Sequence, residues 1–314
     1  MPPKEPRIDL GLEGLTNNGG NATAADTLDH VTPADINNDG PQRTSDPVTV
    51  SEDRIEISDT KIPIILLFGP PASGKSMTLV RLARYLRSEG YTIIADTNFR
   101  GDQEYRDRCE QFTEKLDTET ALRGNALNEF LLVRVVKNGR AICQILEAPG
   151  EHYFDPNKPQ TKANAVAFRP YLRRIISSIP VRKIWVFITE ANWAVDHRVK
   201  QAYVERIKHC KQQLFKAGDK AVILYNKIDK KAELFTGDEN INLSAAEKEM
   251  QNEYAGIEAI FRNTNPITQL WRPANYKFVP FCTGYYDTED AVYSESPRKN
   301  PQRLWQALEK CIKG

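Results

Sequence analysis

The chain has 314 residues, 40% of them hydrophobic, which is enough for one large core or two modest ones and excludes a collagen-like or wholly disordered chain. The formal net charge of +1 hides an asymmetry: residues 1–60 hold four Lys/Arg against twelve Asp/Glu, a balance of −8, so the remainder carries +9. Five scattered cysteines lack the paired spacing of a metal or redox motif, and the longest apolar run, Ile62 to Phe68, is too short to cross a bilayer, so reduced thiols and a cytoplasmic location are expected.

In chain order, residues 1–60 contain no aromatic side chain and are dense in Asn, Asp, Gly, Thr and Pro, the composition of a flexible acidic leader that cannot offset its own ordering entropy. Within it, Asp35-Ile-Asn37-Asn-Asp39-Gly40 with Asp46 is an incomplete match to a calcium loop, and no amphipathic helix follows. From Lys61 onward, strand-like and helical runs alternate, as an α/β domain with a mainly parallel sheet requires. Ile64–Phe68 reads as a buried strand ending at a Gly-rich turn, and Ser76–Ser88 as an amphipathic helix closed by Gly90. Tyr91–Ala95 reads as a short strand and Gln103–Leu116 as a charged helix. Phe130–Lys137 and Ala141–Leu146 flank Asn138-Gly139, a hairpin signal that makes the sheet mixed. Helices at 168–178, 196–217 and 244–262 then alternate with strands at 184–189, 221–225 and 277–281, before a last helix at 302–312. On the first helix, Arg81, Arg84 and Arg87 are read as a solvated basic face, and the four tryptophans, Trp185, Trp193, Trp271 and Trp305, as core and interface residues. Nucleic acid is not an expected partner.

Gly69-Pro-Pro-Ala72-Ser73-Gly74-Lys75-Ser76 fits the phosphate loop G-x-x-x-x-G-K-[ST] between a strand and a helix. Its glycines let the backbone wind around a phosphate chain so that N–H groups, up to Met77 on the helix, face the negative charge. Lys75, taken as exposed, would reach the β- and γ-phosphates, and the Ser76 hydroxyl would ligate Mg²⁺. Asn226-Lys227-Ile228-Asp229 follows the apolar strand 221–225, at the strand end where open α/β sheets bind ligands. Asp229 can accept from guanine N1–H and its exocyclic amine, which adenine does not offer. Asn226 would brace the loop or contact N7, and the stem of Lys227 would cover the base. Between these motifs, Glu147-Ala148-Pro149-Gly150 closes the second hairpin strand.

With these three motifs the chain resembles the TRAFAC class of P-loop GTPases, the Ras-like and translation-factor-like proteins, over residues 61–314. The resemblance implies a P-loop NTPase G domain, a mixed and mostly parallel sheet flanked by helices, with insertions near 91–120 and 230–276. It also implies GTP and Mg²⁺ as cofactors. The family's third motif is D-x-x-G, so Glu147 departs from its Asp but keeps a carboxylate for Mg²⁺, and the Gly150 N–H would sense the γ-phosphate. Glu151 stands where Ras-like members place the Gln that orients the attacking water, and His152 follows it; either could orient or deprotonate water. Cys282-Thr283 falls where the family supplies backbone to guanine O6. Thr118 and Thr120 are candidates for the switch threonine on Mg²⁺, with Thr120 preferred. Three functional classes stay open at this point. The first is a slow GTPase acting as a nucleotide-dependent switch, with an effector or activating protein as partner. The others are a P-loop ATPase or kinase-like phosphotransferase, and a GTP-binding module without turnover.

Overall fold

The computed structural model describes residues 57, 59–117, 130–157, 168, 170–178, 180–236, 240–263, 270, 274–286 and 293–314. Nearly all of the acidic leader, the loop from Asp35 to Asp46, Thr118, Thr120 and Trp271 lie outside them. The fold is α/β, a seven-stranded, mostly parallel sheet flanked by helices.

Seven strands, β1 (Ile64–Phe68), β2 (Thr92–Ala95), β3 (Leu131–Lys137), β4 (Arg140–Glu147), β5 (Lys183–Glu190), β6 (Lys220–Asn226) and β7 (Tyr276–Pro280), lie in the order β2-β3-β4-β1-β5-β6-β7. β3 runs antiparallel to both neighbours, and the strands from β4 to β7 pair in parallel. β1 and β5 are buried along their whole length because helices cover both faces of the sheet, which is why they read as continuous apolar runs and not as alternating ones. The β3–β4 hairpin turns at Asn138 and Gly139, both at positive φ (51° and 73°), as its two-residue turn demands. The segment read as the first insertion extends the sheet: β2 is its edge strand, in register with β3 from Thr92↔Val136 to Ala95↔Val133.

The helices are α1 (Lys75–Ser88), α2 (Gln103–Asp117), α3 (Gly150–Tyr153), α4 (Pro170–Ser178), α5 (His197–Leu214), α6 (Leu243–Glu253), α7 (Ile257–Ile260) and α8 (Lys299–Lys313). α1 packs against α2 and α8, while α5 packs against α4 and α7. The predicted helix 196–217 stops at Leu214, because Phe215 turns to extended backbone and stacks on Trp185, ring centroids 5.1 Å apart. The predicted helix 244–262 is two helices, broken where Gly256 takes φ +92°. A two-stranded hairpin that the sequence did not announce, β8 (Gly284–Tyr286) with β9 (Tyr293–Glu295), pairs Gly284 with Glu295. All five cysteines are buried. Among the described residues, no helix is long and apolar enough to cross a membrane.

The basic face of α1 is not the solvated face its sequence suggests. Arg87 is exposed, but Arg81 is only 7% exposed and the Arg84 side chain is largely covered, both paired with Glu295 of β9. A sequence window cannot foresee this, because the carboxylate that makes the burial tolerable lies more than 200 positions away.

Candidate nucleotide site

The carboxyl ends of β1, β4 and β6 lie on one edge of the sheet, and the three motifs occupy the turns that leave them. Leaving β1, the chain reaches Ala72 at φ +58° and Gly74 at φ +87° before α1 starts. Contacts specify the glycines: a Cβ on Gly69 would lie 2.6 Å from Ser73 Oγ, and one on Gly74 would lie 2.5 Å from Asn226 Nδ2. α1 begins at Lys75 with no side-chain cap, so its first N–H groups and the positive end of its dipole face the loop.

Lys75 is not exposed as the sequence reading assumed; 6% of it is accessible. Its ammonium donates to the carbonyls of Gly69 at 3.2 Å and Pro70 at 2.8 Å, inside its own loop. Burial pulls its pKa from 10.5 down to about 8, with Glu147 and Glu151 opposing the shift through their negative charge. Ser76 donates its hydroxyl to Glu147 Oε1. Glu147, the last residue of β4, is buried, so the two candidate metal ligands meet although 71 positions separate them.

Gly150 opens α3 directly under the loop from Gly69 to Ser76. A Cβ there would stand 2.3 Å from Pro71 N and 2.4 Å from Pro70 C, both backbone atoms that cannot turn aside. Gly150→Ala is therefore expected to destabilise the fold by about 1–3 kcal/mol, the usual cost of overpacking. Gly101→Ala, where the added carbon meets nothing within 4 Å, should stay within about 0.5 kcal/mol of wild type. Urea unfolding midpoints of the two variants test the difference, and equal midpoints would show that position 150 tolerates a Cβ.

α3 also carries Glu151 and His152. Glu151 is partly exposed, whereas His152 is 3% exposed, its ring centroid 5.4 Å from that of Phe130.

The second motif joins the first by direct hydrogen bonds. Asn226, at the end of β6, donates its amide to Ser73 O at 2.8 Å, and Lys227, at φ +57°, donates its ammonium to Ala72 O at 3.0 Å. Asp229 is partly buried and hydrogen-bonds the Cys282 thiol, which burial and then this carboxylate push well above the usual thiol range. Ile228 N donates to Phe281 O at 3.2 Å, so the loops after β6 and β7 are fastened together. Among the described residues, the Ser73 hydroxyl and Asn226 Oδ1 are buried without a hydrogen-bond partner, a state that buried polar atoms rarely keep. Met77 follows on α1, partly buried.

Sequence reasoning missed Glu190. It closes the apolar run of β5, is buried, and accepts from Lys227 at 2.8 Å and from Lys230 at 3.4 Å. Its backbone N–H donates to the Tyr254 hydroxyl at 2.9 Å. The available signal was a carboxylate at the carboxyl end of a buried strand, where ligands bind in open α/β sheets.

No protein-family model matches the chain, and no curated protein matches it. Among solved structures, the chain is similar to a candidate nucleolar GTP-binding protein 1 of Plasmodium falciparum, at 13% identity and a TM-score of 0.37, over 82% of this chain and 90% of that one.

Proposed function

We propose that this chain binds GTP with Mg²⁺, hydrolyses it slowly, and works as a nucleotide-dependent switch of the TRAFAC kind. The observation that supports this best is the Asn226 amide on the Ser73 carbonyl, which ties a base-reading loop to a phosphate loop at one sheet edge. The orphaned Ser73 hydroxyl and Asn226 Oδ1 fit a site completed by a ligand. The phosphate chain would lie along Gly69 to Met77, with the α1 N-terminus and Lys75 facing its charge. Asp229 would accept from the guanine edge, the Lys227 stem would cover the base, and the Cys282–Thr283 backbone would meet O6. Glu190 would hold Lys227 in place.

Ser76 and Glu147 are a hard-oxygen pair in direct contact, a donor set that suits Mg²⁺. When bound, the ion would neutralise charge developing on the β- and γ-phosphates. Of the two water-orienting candidates we prefer Glu151, since His152 is buried against Phe130 while Glu151 has access to solvent. Thr120 remains the proposed switch ligand. A cytoplasmic location and an effector or activating partner belong to the same reading. One observation favours the reading without turnover: Glu147 is a residue longer than the Asp of the family motif by one methylene, and its carboxylate closes on Ser76.

Equilibrium competition on the full chain with Mg²⁺ tests the base assignment. GTP is expected to bind about 100-fold or more tighter than ATP, since adenine does not offer Asp229 the two donors it would read on guanine. A preference for ATP would replace this reading with a P-loop ATPase or kinase. Single-turnover phosphate release then separates a slow GTPase from a binding module.

A further inference from the structure

The burial of two arginines on the helix that starts at the phosphate loop serves no purpose in the phosphate site itself. Arg81 donates Nη2 to Ser296 O at 2.7 Å and pairs through Nη1 with Glu295 Oε2 at 2.7 Å. Arg84 pairs with the other oxygen of Glu295 and donates to Lys115 O at 2.6 Å. A buried guanidinium needs a charge partner and acceptors, and Glu295 and the Ser296 carbonyl supply them through the two Nη groups of Arg81, which ties the end of β9 to α1.

Just beyond β9, Ser296 is 2% exposed and turned to the loop after β7. Its hydroxyl donates to Cys282 O at 2.6 Å, and its backbone N–H donates to Thr283 O at 3.4 Å. A trans peptide sets each carbonyl opposite the following N–H. Holding the Cys282 carbonyl on Ser296 therefore aims the Thr283 N–H away from Ser296. The same loop is fastened on another side by Phe281 O to Ile228 N and by the Cys282 thiol to Asp229.

We propose that Ser296, held by Arg81, is a positioning residue for base selection, orienting the Cys282–Thr283 peptide so that its N–H meets the O6 acceptor of guanine. The proposal rests on the GTP reading above. It also joins the two halves of the site, since the helix that carries Lys75 and Ser76 at its start holds the base loop through Arg81.

Full-length wild type, Ser296→Ala, Ser296→Thr and Arg81→Lys are compared for GTP, ATP and 6-thio-GTP affinity, with melting temperatures alongside. The thio analogue keeps both donors that Asp229 reads and replaces O6 with a weaker acceptor. Ser296→Ala should lose about five- to tenfold in GTP affinity, the worth of one well-placed hydrogen bond, and less than about twofold for 6-thio-GTP, so the wild-type preference collapses. Ser296→Thr, which keeps the hydroxyl, should retain that preference. Equal weakening for both nucleotides, or an unchanged ratio, overturns the proposal, because a merely structural serine would not distinguish O6 from sulfur. Should Ser296→Ala fail to fold, Arg81→Lys keeps a charge for Glu295 but loses the fork that reaches Ser296. An unchanged ratio in that folded variant overturns the proposal equally. A wild type that prefers ATP overturns the GTP reading and this role together, a result distinct from a guanine-selective wild type whose variants keep its ratio.

Discussion

Asp229→Asn is expected to exchange the base preference of the protein, losing GTP affinity and gaining affinity for xanthosine triphosphate. The carboxylate is partly buried and already engages the Cys282 thiol, so a base offering two N–H donors satisfies it, and one lacking them leaves it desolvated. Xanthine presents a carbonyl where guanine has its amine, and the new amide can donate to that carbonyl. The ratio of the two affinities should move by about 2–4 kcal/mol. Misfolding would weaken both nucleotides together, whereas an exchanged hydrogen-bond pattern moves them in opposite directions. Competition binding of GTP, xanthosine triphosphate and ATP to wild type and variant reads the outcome. A variant that keeps its GTP preference shows that Asp229 merely closes the turn.

Lys75→Ala should lower triphosphate affinity by tenfold or more, at least about 1.4 kcal/mol, by removing the cation opposite the phosphates. The fold should survive, although not because the lysine is exposed. Burial depresses the Nζ pKa to about 8, so at neutral pH the nucleotide-free protein holds a desolvated charge that alanine relieves. The sign follows from proton counts. Between about 8 and 10.5 the folded state binds fewer protons than the unfolded chain, so the Lys75 contribution to stability rises with pH through that window. The penalty is fully present below it. Triphosphate charge favours the protonated amine, so binding should take up a proton above pH 8 and little at pH 7, and GTP affinity should fall as pH rises past 8. Calorimetry in two buffers of different ionisation enthalpy measures the uptake, which should vanish in Lys75→Ala. Uptake that persists in the variant would assign the titration to another group.

What the sequence by itself determined was local. The Gly-rich turn between β1 and α1, the Asn138-Gly139 turn and the wholly apolar β1 were legible because backbone sterics and short-range hydrophobic patterning act within a few residues. The strand that ends at Asn226 was legible on the same footing, from its apolar run. Only the tertiary structure decided which charges are buried and what they meet. Lys75 looked like an exposed cation, yet its loop folds back so that the carbonyls of Gly69 and Pro70 receive it. Arg81 and Arg84 looked like a solvated face, yet a hairpin more than 200 residues away supplies Glu295 and the Ser296 carbonyl. Glu190 gave no motif at all, because its role depends on Lys227 arriving from the neighbouring strand. A charge can be buried only where the folded chain brings a partner to it, and desolvation and pairing are set by distances in space that sequence spacing does not encode.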